Sequence, residues 1–253
     1  MKQTAKVEIE SFLRRYAAAR RQEHLVTAEE LIHWWQDVQP QLGSLLEAAK
    51  DRRRIAAPDH NLFRLFELQN DEEGVHSRLL ADFLDPDGSH GQGYLFLATF
   101  LKHLEQRQQW EPAKRLLEGT LWQIETERGI EHGRIDIVAS CRQLGYLIAI
   151  ENKVYAGEQE GQLFRYHQWL ESQSRYYDRR CLVFLTPTGR AATSHQGCPY
   201  LRMSYRSNIA EVLRAAETHM AAYMAAPHVR ATVQQYLNII CELSDFREMD
   251  DED

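Results

Sequence analysis

Between Gly133 and Lys153 the chain reads GRIDIVASCRQLGYLIAIENK, and three ionisable side chains sit where the neighbouring residues want burial. Asp136 lies inside the apolar run Arg134 to Ala139, Glu151 closes the run Tyr146 to Glu151, and Lys153 follows after one residue. A carboxylate inside a buried strand needs a compensating partner, and a bound cation is the simplest one. Hard carboxylate oxygens suit Mg²⁺ or Mn²⁺ and are poorly matched to a soft metal. An ammonium beside two carboxylates stays protonated, which fits it to orient a water molecule and to offset negative charge. Charge neutralisation, a positioned water and help for a leaving oxygen are the requirements of phosphodiester hydrolysis.

That chemistry depends on the elements that carry it. The polar break Arg142 to Gly145 between two Ile-, Val- and Leu-rich runs predicts a β-hairpin. With its turn near Arg142 to Leu144, Asp136 pairs close to Glu151 across the ladder. Residues two apart in a strand share a face, so Glu151 and Lys153 point the same way. Upstream, Leu121 to Glu127 alternates as a first strand and brings Glu125 and Glu127 near the hairpin. Downstream, a loop at Val154 to Gly157 leads to a helix from Glu158 to about Glu171. Gln159, Gln162 and Tyr166 share one face of it, and Leu163, Phe164, Trp169 and Leu170 supply the buried side. The hydrophobic run Cys181 to Leu185 then reads as a strand parallel to that of Glu151, reached by a βαβ crossover. A short strand at Tyr200 to Tyr205 and helices at Ile209 to Met224 and His228 to Leu243 follow.

Before the hairpin, Glu72 to Leu84 reads as a helix stopped by the turn Asp85-Pro86-Asp87-Gly88, with a further helix from Tyr94 to about Gln109. Glu73 heads a stripe with Ser77, Leu80 and Leu84 that faces the protein body. Its position fits a functional acid and a favourable charge at the helix N-terminus equally well. Earlier still, residues 6 to 20 favour helix, and the capping box at Thr27 opens a helix through Leu31, Trp34 and Trp35, core residues by their spacing, that ends at Pro40. Another helix spans Leu42 to Lys50, and one capped by Asp59 runs through Leu62, Phe63, Leu65 and Phe66. The organisation expected is one domain over 1–253: a helical extension at 1–57, an α/β core at 58–206, C-terminal helices at 207–244 and a disordered acidic tail at 245–253.

Of the formal charge of −7, the tail Asp245 to Asp253 holds six acids and one arginine, which leaves −2 for the other 244 residues. Such a body gives no strong electrostatic vote for nucleic acid, although a local basic groove remains compatible with it. The four cysteines show neither close pairing nor metal-ligand spacing, so they read as free thiols in a reducing compartment. No apolar run is long enough to span a membrane, and the first residues lack a signal-peptide core; the expectation is a soluble, cytoplasmic chain without a membrane partner.

Asp136, fourteen intervening residues and then Glu151-Asn152-Lys153 resemble the signature of the PD-(D/E)XK nuclease superfamily, with Ile135-Asp136 where Pro-Asp is usual. The segment EGVHSRLLADFLDPDGSHGQGYLFLATFL is similar to the amino-terminal part of a bacterial, phage-defence-associated branch of it. The resemblance implies a restriction-endonuclease-like α/β fold, a mixed central β-sheet flanked by helices with an additional helical N-terminal segment. It implies a catalytic set of Glu73, Asp136, Glu151, Lys153 and Gln162, with Glu72 as second choice for the helix-borne acid. Its metal ligands would be Glu73, Asp136, Glu151 and the Asn152 backbone carbonyl, holding Mg²⁺ with Mn²⁺ able to substitute. Gln162-Leu163 and Tyr166 match the family's Gln-Leu and Tyr pattern, and Arg165 and Tyr166 would contact the substrate backbone; His76, Ser77 and His90 match as packing and capping residues. The function implied is Mg²⁺-dependent endonucleolytic cleavage of DNA, in defence against foreign DNA, with a homodimer for cutting both strands. Two alternatives stay open: an inactive nucleic-acid or protein binding module of the same fold, and a nuclease for RNA or branched DNA. No helix-turn-helix or zinc finger is present to read sequence.

Overall fold

The computed structural model describes residues 28–57, 60–110 and 119–250. The chain divides into two compact units, Met1–His60 and Asn61–Asp253. The first contributes helix α1, Ala28–Ala56, which continues through Pro40. This corrects the expected stop at Pro40: the ring removes one i→i−4 hydrogen bond, while Leu, Glu, Ala and Lys around it carry the helix onward. Trp34 and Trp35, expected in a core, are 41% and 49% exposed. The helix expected at 6 to 20 and the Asp59 cap lie outside the described residues.

The second unit is built on a five-stranded mixed sheet in the order β1 (Gln123–Ile130), β2 (Gly133–Cys141), β3 (Tyr146–Asn152), β4 (Arg179–Thr186) and β5 (Leu201–Ser204). β1, β2 and β3 pair antiparallel, and β3, β4 and β5 pair parallel. The crossover from β3 to β4 carries helix α5, Gln162–Ser172; the helices before the sheet are α2 (Leu62–Leu65), α3 (Arg78–Leu84) and α4 (Leu95–Gln108), and those after it are α6 (Ala210–Ala222) and α7 (Pro227–Asp250). α7 thus runs into the stretch expected to be disordered, whose Glu, Arg and Met are good helix formers. Asn61 caps α2, accepting the N–H groups of Phe63 and Arg64.

Alternation along the strands sorts side chains between two cores. Tyr146, Ile148 and Ile150 of β3 pack with α3, α4, α6 and α7, whereas Leu147 and Ala149 pack with Leu163, Tyr166 and Leu170 of α5. On β2, Ile137, Ala139 and Cys141 join the first core and Val138 the second, but Ile135 also joins the second, so the alternation slips beside Asp136. Opposite that slip, Glu127 of β1 has a left-handed φ of 55° and drops out of the ladder between the pairs Thr126↔Ile137 and Arg128↔Ile135. A non-glycine residue held there is strained by about 1–3 kcal/mol, a cost that recurs around functional sites.

The helix expected over Glu72 to Leu84 is in two parts. Glu72–Ser77 forms a π-turn, in which the His76 N–H reaches the Asp71 carbonyl five residues back, and α3 follows. Asp71 caps the turn by accepting the Gly74 N–H at 2.7 Å. A Cβ at Gly74 would stand 2.3 Å from that carboxylate, so glycine is the residue that fits. The wider turn adds one residue relative to an α-helix, a rotation of about 100°, and this turns Glu72 inward in place of Glu73.

Candidate active site

β3 parity decides which groups meet. Glu151 shares the face of Leu147 and Ala149, so it points toward α5, while Asn152 points to the opposite layer. Glu151 is fully buried. Its Oε1 lies 2.6 Å from Lys153 Nζ and accepts a 2.7 Å hydrogen bond from Gln162 Nε2. Its Oε2 is buried without a hydrogen-bond partner among the described residues. Asp136, directly before Ile137 in the Ile137↔Ile150 register, stands across from Glu151, and its Oδ2 accepts the Asn152 N–H at 2.7 Å. The hairpin therefore brings Asp136, Glu151 and Lys153 together.

Glu72 completes this group. Its Oε2 accepts the consecutive N–H groups of Val154, Tyr155 and Ala156 at 2.7, 2.9 and 3.1 Å. Its Oε1 lies 3.6 Å from Lys153 Nζ. Glu73 is placed elsewhere: its side chain is 62% exposed and pairs with Arg134 at 2.9 Å. Arg134 also pairs through Nε with Glu127, whose two carboxyl oxygens are buried outside hydrogen-bond geometry. Glu125, the other strand acid, pairs with Arg128 instead.

Burial dominates the titration of the two hairpin acids. Asp136 is raised to about 6, first by burial, against the pull of the Asn152 N–H and Lys153. Burial and then the like charge of Asp136 push Glu151 up to about 8, with Lys153 opposing. Lys153 loses solvation, yet Glu151, Asp136 and Glu72 more than offset this and raise it, so it remains an ammonium. Glu127 is also raised, mainly by burial.

Of the two residues expected to touch substrate, Tyr166 is turned inward. Tyr166 is 2% exposed, and its hydroxyl accepts from Gln162 Nε2 at 3.0 Å and donates to the Arg134 carbonyl at 2.5 Å, so a phosphate cannot reach it here. Gln162 is buried and ties Glu151 to Tyr166. Arg165 donates to the carbonyls of His132 and Glu160 at 2.9 and 2.6 Å. These side chains position the acids and the loop around them.

On the other face, Asn152 Nδ2 donates to Ser77 Oγ at 3.0 Å and Asn152 Oδ1 accepts from the Tyr205 hydroxyl at 2.9 Å. Tyr205 bonds Tyr236, which meets His76 Nδ1 at 2.8 Å, and His76 Nε2 lies 2.8 Å from the Gln69 carbonyl. This buried chain joins the π-turn, the end of β3 and α7. His76, its pKa lowered first by burial, is a structural residue. So is His90, which accepts the Gln92 N–H and meets the Asp85 carbonyl. Tyr205 and Tyr236 escaped sequence reading because only the fold brings them to Asn152. Glu158 escaped it too: its carboxylate takes Arg190 and the loop at Thr193 and Ser194.

The donor set fits a hard divalent cation. Asp136 and Glu151 offer carboxylate oxygens on one face of the sheet, and the buried, unpartnered Glu151 Oε2 is a lone acceptor of the kind a cation satisfies. Among the described residues no three His, Cys, Asp or Glu side chains already stand in metal-ligand geometry, and Glu73 does not converge with Asp136 and Glu151. A third donor would come from Glu72 Oε1, the Asn152 carbonyl or water.

Comparison with known proteins bears on the same residues. No curated protein and no solved structure matches the chain. A family model described as the PD-(D/E)XK nuclease superfamily matches residues 60–238, a span that takes in the π-turn acids, the hairpin and α5. With an acid, an acid and a lysine meeting at the hairpin of a mixed sheet inside that span, the chain belongs to the PD-(D/E)XK nuclease superfamily.

Proposed function

We propose that this protein is a divalent-metal-dependent phosphodiesterase that cleaves nucleic acid, DNA first among substrates. The observation that carries the proposal is the pairing of Asp136 with a Glu151 whose Oε2 is buried and unpartnered, beside the Lys153 ammonium. Asp136 and Glu151 would hold the cation, Mg²⁺ or Mn²⁺, with Glu72 Oε1 nearest among the remaining acids. When bound, that ion supplies charge neutralisation for a phosphoryl oxygen. Lys153 stays protonated and orients the attacking water while offsetting charge on the phosphate. Gln162 fixes the Glu151 rotamer through Oε1, leaving Oε2 to face a ligand. Glu72 anchors the loop after Lys153 by three backbone N–H groups, which keeps the ammonium beside the acids.

The test is incubation with linear, circular and single-stranded DNA and with RNA, in Mg²⁺, Mn²⁺ or chelator, alongside Asp136→Ala. The expected result is loss of at least one polymer that needs the metal and is absent in the variant. Unchanged cleavage by Asp136→Ala overturns the assignment. No cleavage together with no Mn²⁺ binding by calorimetry returns the chain to a binding module of the same fold.

A further inference from the structure

The turn from β2 to β3 and the segment from α5 to β4 meet at the end of the sheet away from Asp136 and Glu151. Tyr146 opens β3 there, five residues before Glu151, a separation of roughly 17 Å along the strand. Three arginines and one aspartate fall within Gln173 to Arg180, opposite Arg142, in a chain whose formal charge is −7. Arg142 stands 4.9 Å from the centroid of the Tyr176 ring and Arg175 stands 5.9 Å from it. Tyr176 is 50% exposed, and both arginines are exposed.

What marks this pair among the described residues is that two arginines without a counter-ion gather on one exposed ring. Arg64, Arg128, Arg134, Arg180, Arg190 and Arg230 each meet a carboxylate. The Arg142 and Arg175 side chains make no ion pair or hydrogen bond among the described residues. Two guanidinium groups gathered on one ring repel each other, and a shared anion removes that repulsion. Their planar N–H forks, already held by the ring, match phosphate oxygens with less loss of rotamer freedom than free side chains would suffer.

We infer that Arg142, Arg175 and Tyr176 form a second nucleic-acid contact, which grips backbone phosphates away from the scissile bond. The inference rests on the proposed nuclease reading, which supplies the polymer. At 3.4 Å per step along one strand, the grip falls on the order of five steps from the cut. It adds to substrate affinity and takes no part in bond breaking.

The test uses the full chain and a fluorescent DNA duplex of about 30 base pairs, long enough to reach both contacts. Anisotropy in chelator over a series of salt concentrations is compared for the wild type and Arg142→Ala/Arg175→Ala. The expected result is binding weakened by about tenfold and a salt slope smaller by about two, one per phosphate contact removed. Under turnover conditions KM rises while kcat stays within about twofold, the pattern of lost uniform binding. Variant binding within twofold of the wild type with the same salt slope overturns the contact, even where the wild type cuts. Equal loss of cutting on duplexes too short to reach the patch also overturns it. A wild type that neither binds nor cuts any nucleic acid overturns the nuclease reading itself, and the contact with it.

Discussion

Glu151 with Lys153 and Glu158 with Arg190 are the same kind of pair, a buried glutamate 2.6 or 2.5 Å from a cation, with side chains 1% and 5% exposed. Their surroundings drive them in opposite directions. Burial would raise Glu158, but Arg190, the Ser194 hydroxyl and the Ser194 and Thr193 N–H groups outweigh it and hold the acid down at about 2. Every oxygen of Glu158 is occupied. Glu151 has one oxygen occupied and one left without a partner, and it is pushed up to about 8. Glu158 has the finished hydrogen-bond shell of a structural acid, and the unfinished shell of Glu151 fits the ligand proposed for it.

The largest effect expected is in turnover. Glu151→Gln removes a carboxylate oxygen proposed to bind the metal and should lower metal-dependent cleavage on the order of 10³-fold or more, while the melting temperature at pH 8 holds or rises, since glutamine imitates the neutral form that burial favours. A Glu151→Gln protein that melts well below the wild type breaks the comparison. Glu158→Gln should do the reverse: about 2 kcal/mol less stability in urea unfolding, because Arg190 loses its charge partner, with kcat per folded molecule little changed.

The pH dependence sharpens the contrast. Glu151 binds its proton more tightly folded than unfolded, so its contribution to the metal-free fold is greatest below about 4.5 and is lost as pH rises toward about 8. The Glu158 contribution is present above about 4.5 and is lost as pH falls toward about 2. Urea midpoints across this range should flatten on the alkaline side in Glu151→Gln and on the acid side in Glu158→Gln. The smallest effect belongs to Tyr205→Phe, which leaves Asn152 Oδ1 short of a donor and should cost about 1 kcal/mol in urea unfolding.

Much of the fold was legible because it is written locally. The hairpin follows from two apolar runs and a polar break, and its register brings Asp136 opposite Glu151 as expected. β4 pairs parallel to β3 through the α5 crossover, also as expected. The helix-borne acid was harder. Helical spacing assigns Glu73 to the inward stripe, but a π-turn is a departure from the 3.6-residue period that spacing presumes, and it brings Glu72 to Lys153. Tyr166 and Gln162 share a face as read, yet only packing reveals that the face is buried against Glu151. Arg190 and Ser194 lie more than 30 residues from Glu158, a separation that local pattern cannot bridge.

The three successive amides of Val154, Tyr155 and Ala156 that converge on Glu72 Oε2 make a concave backbone receptor for an oxyanion, already filled from within. With that oxygen committed, Glu72 has Oε1 alone left for the cation proposed above, which it could meet as a monodentate ligand only. The same side chain thereby closes those three amides to any other anion and fixes how many bonds it can itself extend.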